Sequence, residues 1–283
     1  MGSWQNIGRI SPRQLAPARL EIHHAAQLVA IAFARPLLPA QDDDRHTALT
    51  WLDIPGLWVS GKVPGSGGLR AGLRPAELVL TLGGKDDPAG AQLELEGRGL
   101  EEALAWLRER LVEHELEAER AQLDPHYELP DHPLASRGAA FSHELAAERA
   151  ELAAYFGATA VLLAELTREN AGASPILTWP HHLDIATLIP AGESADGRPQ
   201  SLGVGLSPGD GSYDEPYLYV SPWPFPEAAD PAPLAVGRWH REGFHSAVLT
   251  ATELLDGEDA ESRARDFLAE ALGAGRRILE ADR

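Results

Sequence analysis

The hydrophobic residues of this chain change their spacing in blocks, and the order of these blocks constrains the fold more than any single motif. Helix-spaced apolar residues cover 17–35, two alternating segments lie within 78–95, and a second helical pattern follows at 99–119. A long helical pattern over 142–170 precedes several strand-like segments and a last helix at 259–280. This order lacks the regular strand–helix alternation of a doubly wound parallel sheet. The sequence therefore predicts an α+β fold with mostly antiparallel sheets and packed helices.

A proline-rich connection over 124–140 divides the patterned segments into two groups of similar size. We expect an N-terminal half, 1–140, built from a helix, a hairpin and a helix. The C-terminal half, 141–283, is expected to contain a long helix capped by Ser142, antiparallel strands and the terminal helix. A chain of 283 residues is long enough for two ordinary domains or one large domain, so one compact domain is the alternative.

The charge and residue composition exclude several classes of partner. With 24 Lys and Arg against 43 Asp and Glu, the net charge of −19 disfavours binding to nucleic acid or to anionic membranes. The chain has no cysteine, which excludes disulfides, thiolate metal sites and a cysteine nucleophile. The start lacks the pattern of a signal peptide, and the apolar helix near 25–34 is shorter than a membrane span. We expect a soluble, cytoplasmic protein whose oligomeric state the sequence does not predict.

Two histidines and a carboxylate lie within one predicted strand, 175–190, where the chain reads Trp-Pro-His-His-Leu-Asp. Strand alternation places the side chains of His182 and Asp184 on one face. His181 points to the other face, where we expect it to serve in packing. An imidazole beside a carboxylate suits a divalent metal ion, or a general base that Asp184 orients. His240 is the candidate for the third group. A buried His–Asp pair that only satisfies its own hydrogen bonds is the structural alternative.

A Gly/Asp turn and a tyrosine-rich strand follow this segment. Asp210 lies in a Ser-Pro-Gly-Asp turn, and Tyr217 and Tyr219 share one face of the next predicted strand. If that strand pairs with the glycine-containing segment 201–206, the rings cover its glycines and make a slot for a flat ligand. Asp210, Tyr217 and Tyr219 are therefore candidate ligand-binding residues. A capped tight turn and ordinary cross-strand packing are the alternatives.

His24 and Gln27 form a further candidate pair on the first predicted helix. His24 continues the apolar line of that helix, and Gln27 lies on the same flank. A polar pair that borders an apolar helix face can reach a ligand pocket. It can equally cap a buried backbone group.

These motifs together resemble a bacterial family described only as a domain of unknown function. The resemblance rests on W-P-H-H-x-D at 179–184, G-x-G-x-S-P-G-D at 203–210, P-Y-x-Y at 216–219, W-H at 239–240 and the His24/Gln27 helix. It spans most of the chain, with Leu183 where the family is expected to have Phe. The resemblance implies that this chain has relatives. It implies no activity for the chain, because the family has none that could be transferred.

The sequence favours an uncharacterised protein with a small-molecule pocket built from the His-x-Asp strand, the Gly/Asp turn and the tyrosine strand. In the enzyme version, His182 is the general base or a metal ligand together with Asp184, and His240 completes the catalytic set. The rival hypothesis is a non-catalytic binding or protein-interaction module that uses the aromatic, proline-rich surface of residues 216–240. The residues alone do not decide whether the protein is an enzyme.

Overall fold

The computed structural model describes residues 3–54, 56–85, 90–226, 229–257 and 259–281. It contains two antiparallel sheets and packed helices, which confirms the α+β prediction. The chain divides into two compact units. The N-terminal unit comprises Leu15–Ala153 and Leu177–Leu183. The C-terminal unit comprises Met1–Gln14, Ala154–Ile176 and Asp184–Arg283.

The helices of the N-terminal unit begin with α1, Ala16–Gln27, which has Pro17 in its first turn. The chain continues from α1 as a π-helix over Leu28–Ala34, which is buried throughout. The short helix α2, Arg35–Leu37, follows directly. The predicted helix is therefore present, but its second half has the wider π-helical winding, which is frequent at functional sites. The next helices are α3, Leu100–Glu113, and α4, Pro133–Ser136.

The sheet of the N-terminal unit contains five antiparallel strands in sequential order. They are β1 (Thr50–Leu52), β2 (Leu57–Val59), β3 (Arg70–Arg74), β4 (Val79–Gly83) and β5 (Ala91–Glu94). The expected hairpin is confirmed as β4 and β5, where Leu80 faces Leu93, although residues 86–89 of its turn lie outside the described residues. The strand β4 is buried along its whole length, so neither of its faces is solvated.

The long helix α5, Ala146–Glu169, contains the sequence boundary between the two units. It begins four residues after Ser142, whose hydroxyl accepts a hydrogen bond from the Glu144 N–H in the preceding turn. The boundary thus falls at residue 153 rather than near 140. By length and composition alone, α5 meets the criteria for a membrane-spanning helix, which the core helix of a soluble protein also meets. Half of its apolar window is buried.

The C-terminal unit contains an antiparallel sheet whose strands run in the order β10, β11, β9, β8, β7. Their bounds are β7 (Asp184–Glu193), β8 (Pro199–Ser207), β9 (Tyr217–Trp223), β10 (Arg238–His240) and β11 (Ser246–Thr250); β6 (Leu177–Trp179) belongs to the N-terminal unit. The short α6, Ala251–Leu254, follows β11. The last helix, α7, spans Ala260–Glu280 as predicted and packs its apolar side on the sheet. Its first turn is capped by the Asp259 carboxylate.

Candidate functional site

The histidines of α1 are buried and bound to main-chain carbonyls of the same unit. His23 Nε2 donates to the Pro180 carbonyl oxygen at 2.9 Å, and His24 Nε2 donates to the Pro130 carbonyl oxygen at 3.0 Å. The exposed fraction is 5% for His23 and 2% for His24. A carbonyl can only accept, so each ring carries its proton on Nε2 and its lone pair on Nδ1. Main-chain contacts thereby define the tautomer of both rings.

Gln27 connects α1 to two distant segments of the unit. Its amide nitrogen donates to the carbonyl oxygens of His23 and Pro180, at 3.0 Å in both cases. Its amide oxygen accepts from the Tyr127 hydroxyl at 2.7 Å. Burial raises the pKa of Tyr127, so the phenol is kept as a donor. Gln27 thus satisfies buried main-chain groups, which was one of the two roles expected for it.

The segment that holds Pro180 is a turn and not a strand. The expected continuous strand over 175–190 is wrong here, because β6 ends at Trp179 and β7 begins at Asp184. The Leu183 N–H donates to the Trp179 carbonyl oxygen at 2.7 Å, and Leu183 has a positive φ of 57°. A turn does not alternate its side chains as a strand does. Contrary to the prediction, His182 and Asp184 therefore do not share the face of one strand.

A cavity of about 380 Å³ opens beside α1 within the N-terminal unit. We call it the His24 cavity. Its apolar wall comes mainly from leucines and prolines, and its polar groups come from His24, Gln27, Asp131, His132 and Ser136. The volume lies in the range of about 300–1,000 Å³ that small-molecule pockets occupy. The predicted pair His24 and Gln27 therefore lies on the wall of a concave site.

The wall of the His24 cavity contains a second imidazole, that of His132. Its ring centroid is 5.6 Å from that of His24, and the two planes are inclined by 31°. His132 is the N-cap of α4, and its Nδ1 accepts from the Leu134 N–H at 3.3 Å. The proton of this ring is therefore on Nε2. Both rings thus have the Nε2–H tautomer, but the nitrogen that remains is the acceptor Nδ1 on His24 and the donor Nε2–H on His132.

Both imidazoles of the cavity are neutral at physiological pH. Burial lowers the pKa of His24 below its usual 6.5, with a smaller opposing effect from the Pro130 hydrogen bond. Burial also lowers the pKa of His132, and the neighbouring His24 lowers it further. Because the pKa of both rings lies below the usual 6.5, the cavity has hydrogen-bonding imidazoles without a positive charge.

The histidines of the Pro180–Leu183 turn lie at inclined angles against each other and against aromatic rings of the same unit. His181 and His182 have centroids 4.4 Å apart, and His181 lies 5.8 Å from Tyr127 and 6.0 Å from Trp179. Burial, followed by the neighbouring His182, lowers the pKa of His181 to about 4. His181 thus packs beside Trp179 as expected, whereas His182 is exposed.

Metal ligation by His182 and Asp184 was the expected cofactor chemistry. Over the described parts of the chain, no group of three or more His, Asp or Glu side chains is arranged to hold a metal ion. The two residues also belong to different units, His182 to the N-terminal and Asp184 to the C-terminal one. Asp184 accepts a short hydrogen bond from the Tyr219 hydroxyl.

The tyrosine strand of the C-terminal unit covers a glycine as expected. Gly205 in β8 faces Tyr219 in β9. A methyl group at residue 205 would collide with the Ile185 carbonyl oxygen and lie 2.8 Å from the Tyr219 hydroxyl. The neighbouring Tyr217 donates to Asp210 Oδ2 at 2.5 Å. The predicted tyrosines thus use their hydroxyls on carboxylates of their own unit.

Asp210 stabilises its own turn in addition to binding Tyr217. Its other carboxylate oxygen accepts from the Ser212 N–H at 2.7 Å and the Tyr213 N–H at 3.1 Å. Burial raises the pKa of Tyr217 and Tyr219, and their carboxylate partners raise it further. These tyrosines stay protonated hydrogen-bond donors.

His240 lies at the other edge of the same sheet. Its Nε2 donates to the Glu242 carbonyl oxygen at 2.6 Å, so its Nδ1 accepts from the Tyr213 hydroxyl at 2.8 Å. Three strands separate β10 from β7, which places His240 about 19 Å across the sheet from Asp184 at a spacing of about 4.8 Å per strand. The structure does not bring these two expected catalytic residues together.

The proline-rich part of the 216–240 surface borders a groove of about 470 Å³ in the C-terminal unit. Pro226, Pro231 and Pro233 line one side, and residues of α7, among them Glu270 and Arg277, line the other. Residues 227 and 228 of this surface lie outside the described residues.

Comparison with protein-family models finds no match for this chain, and comparisons with curated proteins and with solved structures find none either. The expected membership of a bacterial family of unknown function stays a prediction. The site is therefore characterised by its own geometry.

Sequence reasoning missed three residues of the site: His23, Tyr127 and His132. His23 precedes a predicted candidate, and a fully buried helix gives no polar face to distinguish the two histidines. Tyr127 and His132 lie in the 124–140 connection, which was predicted only as a linker or lid. Its signal was the pair Asp-Pro-His-Tyr and Pro-Asp-His-Pro, since polar loop residues between prolines are common in binding sites.

Proposed function

We propose that this protein binds a small molecule in the His24 cavity, with His24 and His132 as its polar contacts. The observation that carries the proposal is a pair of neutral imidazoles, one with an acceptor left, His24 Nδ1, and one with a donor left, His132 Nε2–H, on an otherwise mostly apolar wall. Binding pockets typically combine such a wall with a few well-placed polar groups.

The free-energy cost of placing imidazoles in this wall supports the proposal that the cavity binds a ligand. A buried imidazole such as His24 and a half-buried one such as His132 stabilise a wall only if their hydrogen bonds are satisfied, and leucine would fill the same space without that condition. His24 and His132 each use one ring nitrogen to bind the main chain. The second nitrogen of each ring is the atom that we assign to the ligand.

A screen of small molecules against the full chain tests the proposal. Ligand-observed NMR should identify compounds whose signals saturate with wild-type protein and lose most of that saturation with His132→Ala. The matched control is His114→Ala, which removes an exposed imidazole of the same unit at the end of α3 and should retain binding. Compounds that bind all three proteins equally would place the ligand elsewhere and contradict the proposal.

The catalytic role expected for His182 stays a prediction for a different site. Metal analysis of the purified protein and of His182→Ala checks its metal version directly. Stoichiometric metal that disappears in the variant would support metal binding at His182. Metal-free preparations of both proteins would contradict the metal version of the His182 hypothesis.

The interaction module expected over residues 216–240 also stays a prediction. The groove beside Pro226–Pro233 gives it a concave surface, whose Glu270 and Arg277 supply both signs of charge. A partner bound there should be insensitive to His132→Ala. The same variant therefore separates this hypothesis from small-molecule binding in the His24 cavity.

A further inference from the structure

We infer that the ligand of the His24 cavity is an uncharged planar amide, whose carbonyl accepts from His132 Nε2 and whose N–H donates to His24 Nδ1. The inference deepens the proposed function and rests on it. It names the chemical class of ligand, which a pocket volume and an apolar wall leave open.

The hydrogen-bond character of the two rings carries the inference. The Pro130 carbonyl holds the His24 proton on Nε2, and the Leu134 N–H holds the His132 lone pair on Nδ1. The remaining nitrogens are one acceptor, on His24, and one donor, on His132. An amide carries one acceptor and one donor side by side, so it matches both rings in a single orientation.

The separation of the rings determines how such a ligand meets them. A planar group inserted between two rings needs a contact distance of about 3.5–4 Å on each side, or about 7 Å in all. The centroids of His24 and His132 are only 5.6 Å apart. The ligand therefore meets the edges of the rings, where the nitrogens lie, and its apolar part faces the leucines and prolines of the wall.

The charge of the cavity disfavours the ionic alternatives. No Lys or Arg lies among the described residues of its lining, and its one carboxylate, Asp131, is exposed. An anion would therefore meet neutral rings and a negative neighbour. A cation would meet a carboxylate screened by water and an N–H donor on His132. An uncharged ligand has neither conflict.

Four compounds of nearly equal shape test the inference on the full chain. Benzamide offers an acceptor and a donor, acetophenone only an acceptor, benzoate two acceptors with a negative charge, and benzamidine only donors with a positive charge. Dissociation constants at pH 7.5 are measured by titration while following the imidazole signals. We expect benzamide to bind about tenfold more tightly than acetophenone and more than tenfold more tightly than either ion.

Two variants and one spectrum locate the effect. Long-range ¹H–¹⁵N spectra should report Nε2–H tautomers for His24 and His132, and benzamide should shift His24 Nδ1 and His132 Nε2. His132→Ala should remove the preference for benzamide over benzamidine. His132→Gln, which keeps an N–H donor, should restore part of the benzamide affinity. Unfolding curves of both variants confirm that they are folded.

The outcomes distinguish the inference from the proposed function. Benzoate or benzamidine binding at these imidazoles as tightly as benzamide would overturn the amide assignment while the cavity remained a ligand site. Failure of all four compounds to bind would also overturn it, and the broader screen would then decide the proposed function separately. An Nδ1–H tautomer of either histidine in the spectra would overturn the inference without any ligand.

Discussion

The buried histidines of the N-terminal unit and the tyrosines of the C-terminal sheet have different kinds of hydrogen-bond partner. In the N-terminal unit, His23 and His24 are anchored through one ring nitrogen each to a main-chain carbonyl. In the C-terminal unit, polar side chains bind one another. These pairs are Tyr219 with Asp184, Tyr217 with Asp210 and Tyr213 with His240.

This difference separates residues that hold a fold from residues that are able to hold a ligand. A tyrosine that donates to a neighbouring carboxylate uses its hydroxyl proton on its own protein, and His240 uses both ring nitrogens. An imidazole anchored by one nitrogen has its tautomer set and presents the other nitrogen in a defined state. The stronger sequence signal came from His, Asp and Tyr residues at strand spacing. It therefore marks the internally paired region, in which polar side chains bind mainly one another.

The largest effect is expected at Gly205 in the C-terminal unit. Gly205→Ala places a methyl group against the Ile185 carbonyl and the Tyr219 hydroxyl, and should cost about 3 kcal/mol in the free energy of unfolding. Gly211→Ala is the matched control, since nothing lies within 4 Å of its new methyl group. Urea unfolding of both variants measures the difference. Equal stabilities would show that the tyrosine pairs tolerate movement, and the comparison between the units would fail.

The N-terminal unit should lose stability in acid through its neutral histidines. Burial lowers the pKa of His23 to about 4, below the value near 6.5 expected when unfolded. The unfolded chain then binds more protons between these values, so stability is complete above pH 6.5 and falls toward pH 4. His23 alone should contribute a loss of about 3 kcal/mol over this window.

The variant His23→Gln isolates that contribution, because its amide N–H can still reach the Pro180 carbonyl without titrating. The slope of unfolding free energy against pH between 4 and 6.5 should be clearly smaller than in wild type. His114→Gln changes an exposed imidazole of the same unit and should leave the slope nearly unchanged. Identical slopes in all three proteins would contradict the burial argument.

A matched pair of Tyr→Phe substitutions compares the acceptors of the two units. Tyr219→Phe removes a hydrogen bond to a carboxylate and should cost about 2 kcal/mol. Tyr127→Phe removes a hydrogen bond to the neutral Gln27 amide and should cost about 1 kcal/mol. Chemical unfolding measures both values. A larger loss at Tyr127 would reverse the assignment of the internally paired region to the C-terminal unit.

The smallest expected effect is the response of ligand affinity to pH. Protonation of His24 replaces its Nδ1 acceptor by a donor, so benzamide affinity should be constant above pH 6.5 and fall in more acidic solution. Titrations at several pH values measure this trend. A benzamide affinity that rises as the pH falls would contradict the acceptor role assigned to His24 Nδ1.

Much of the fold followed from hydrophobic spacing alone. The terminal helix and the hairpin of β4 and β5 were predicted because each pattern records which side of one element is buried. The π-helix after α1 was not predicted, since its residues are buried all round and show no periodic face. Nor was the turn at Pro180–Leu183, where Leu183 adopts a left-handed conformation that β-patterning does not reveal.

The sequence by itself determined the α+β class, and it singled out His24 and Gln27 as a polar pair on an apolar helix. Only the tertiary structure decided that His24 faces His132 from a distant loop and that Asp184 binds Tyr219. The physical reason is the distance along the chain over which each kind of information extends. Periodicity reports the burial of a side chain within its own element, whereas a tautomer or a cavity depends on atoms that lie far apart in the chain.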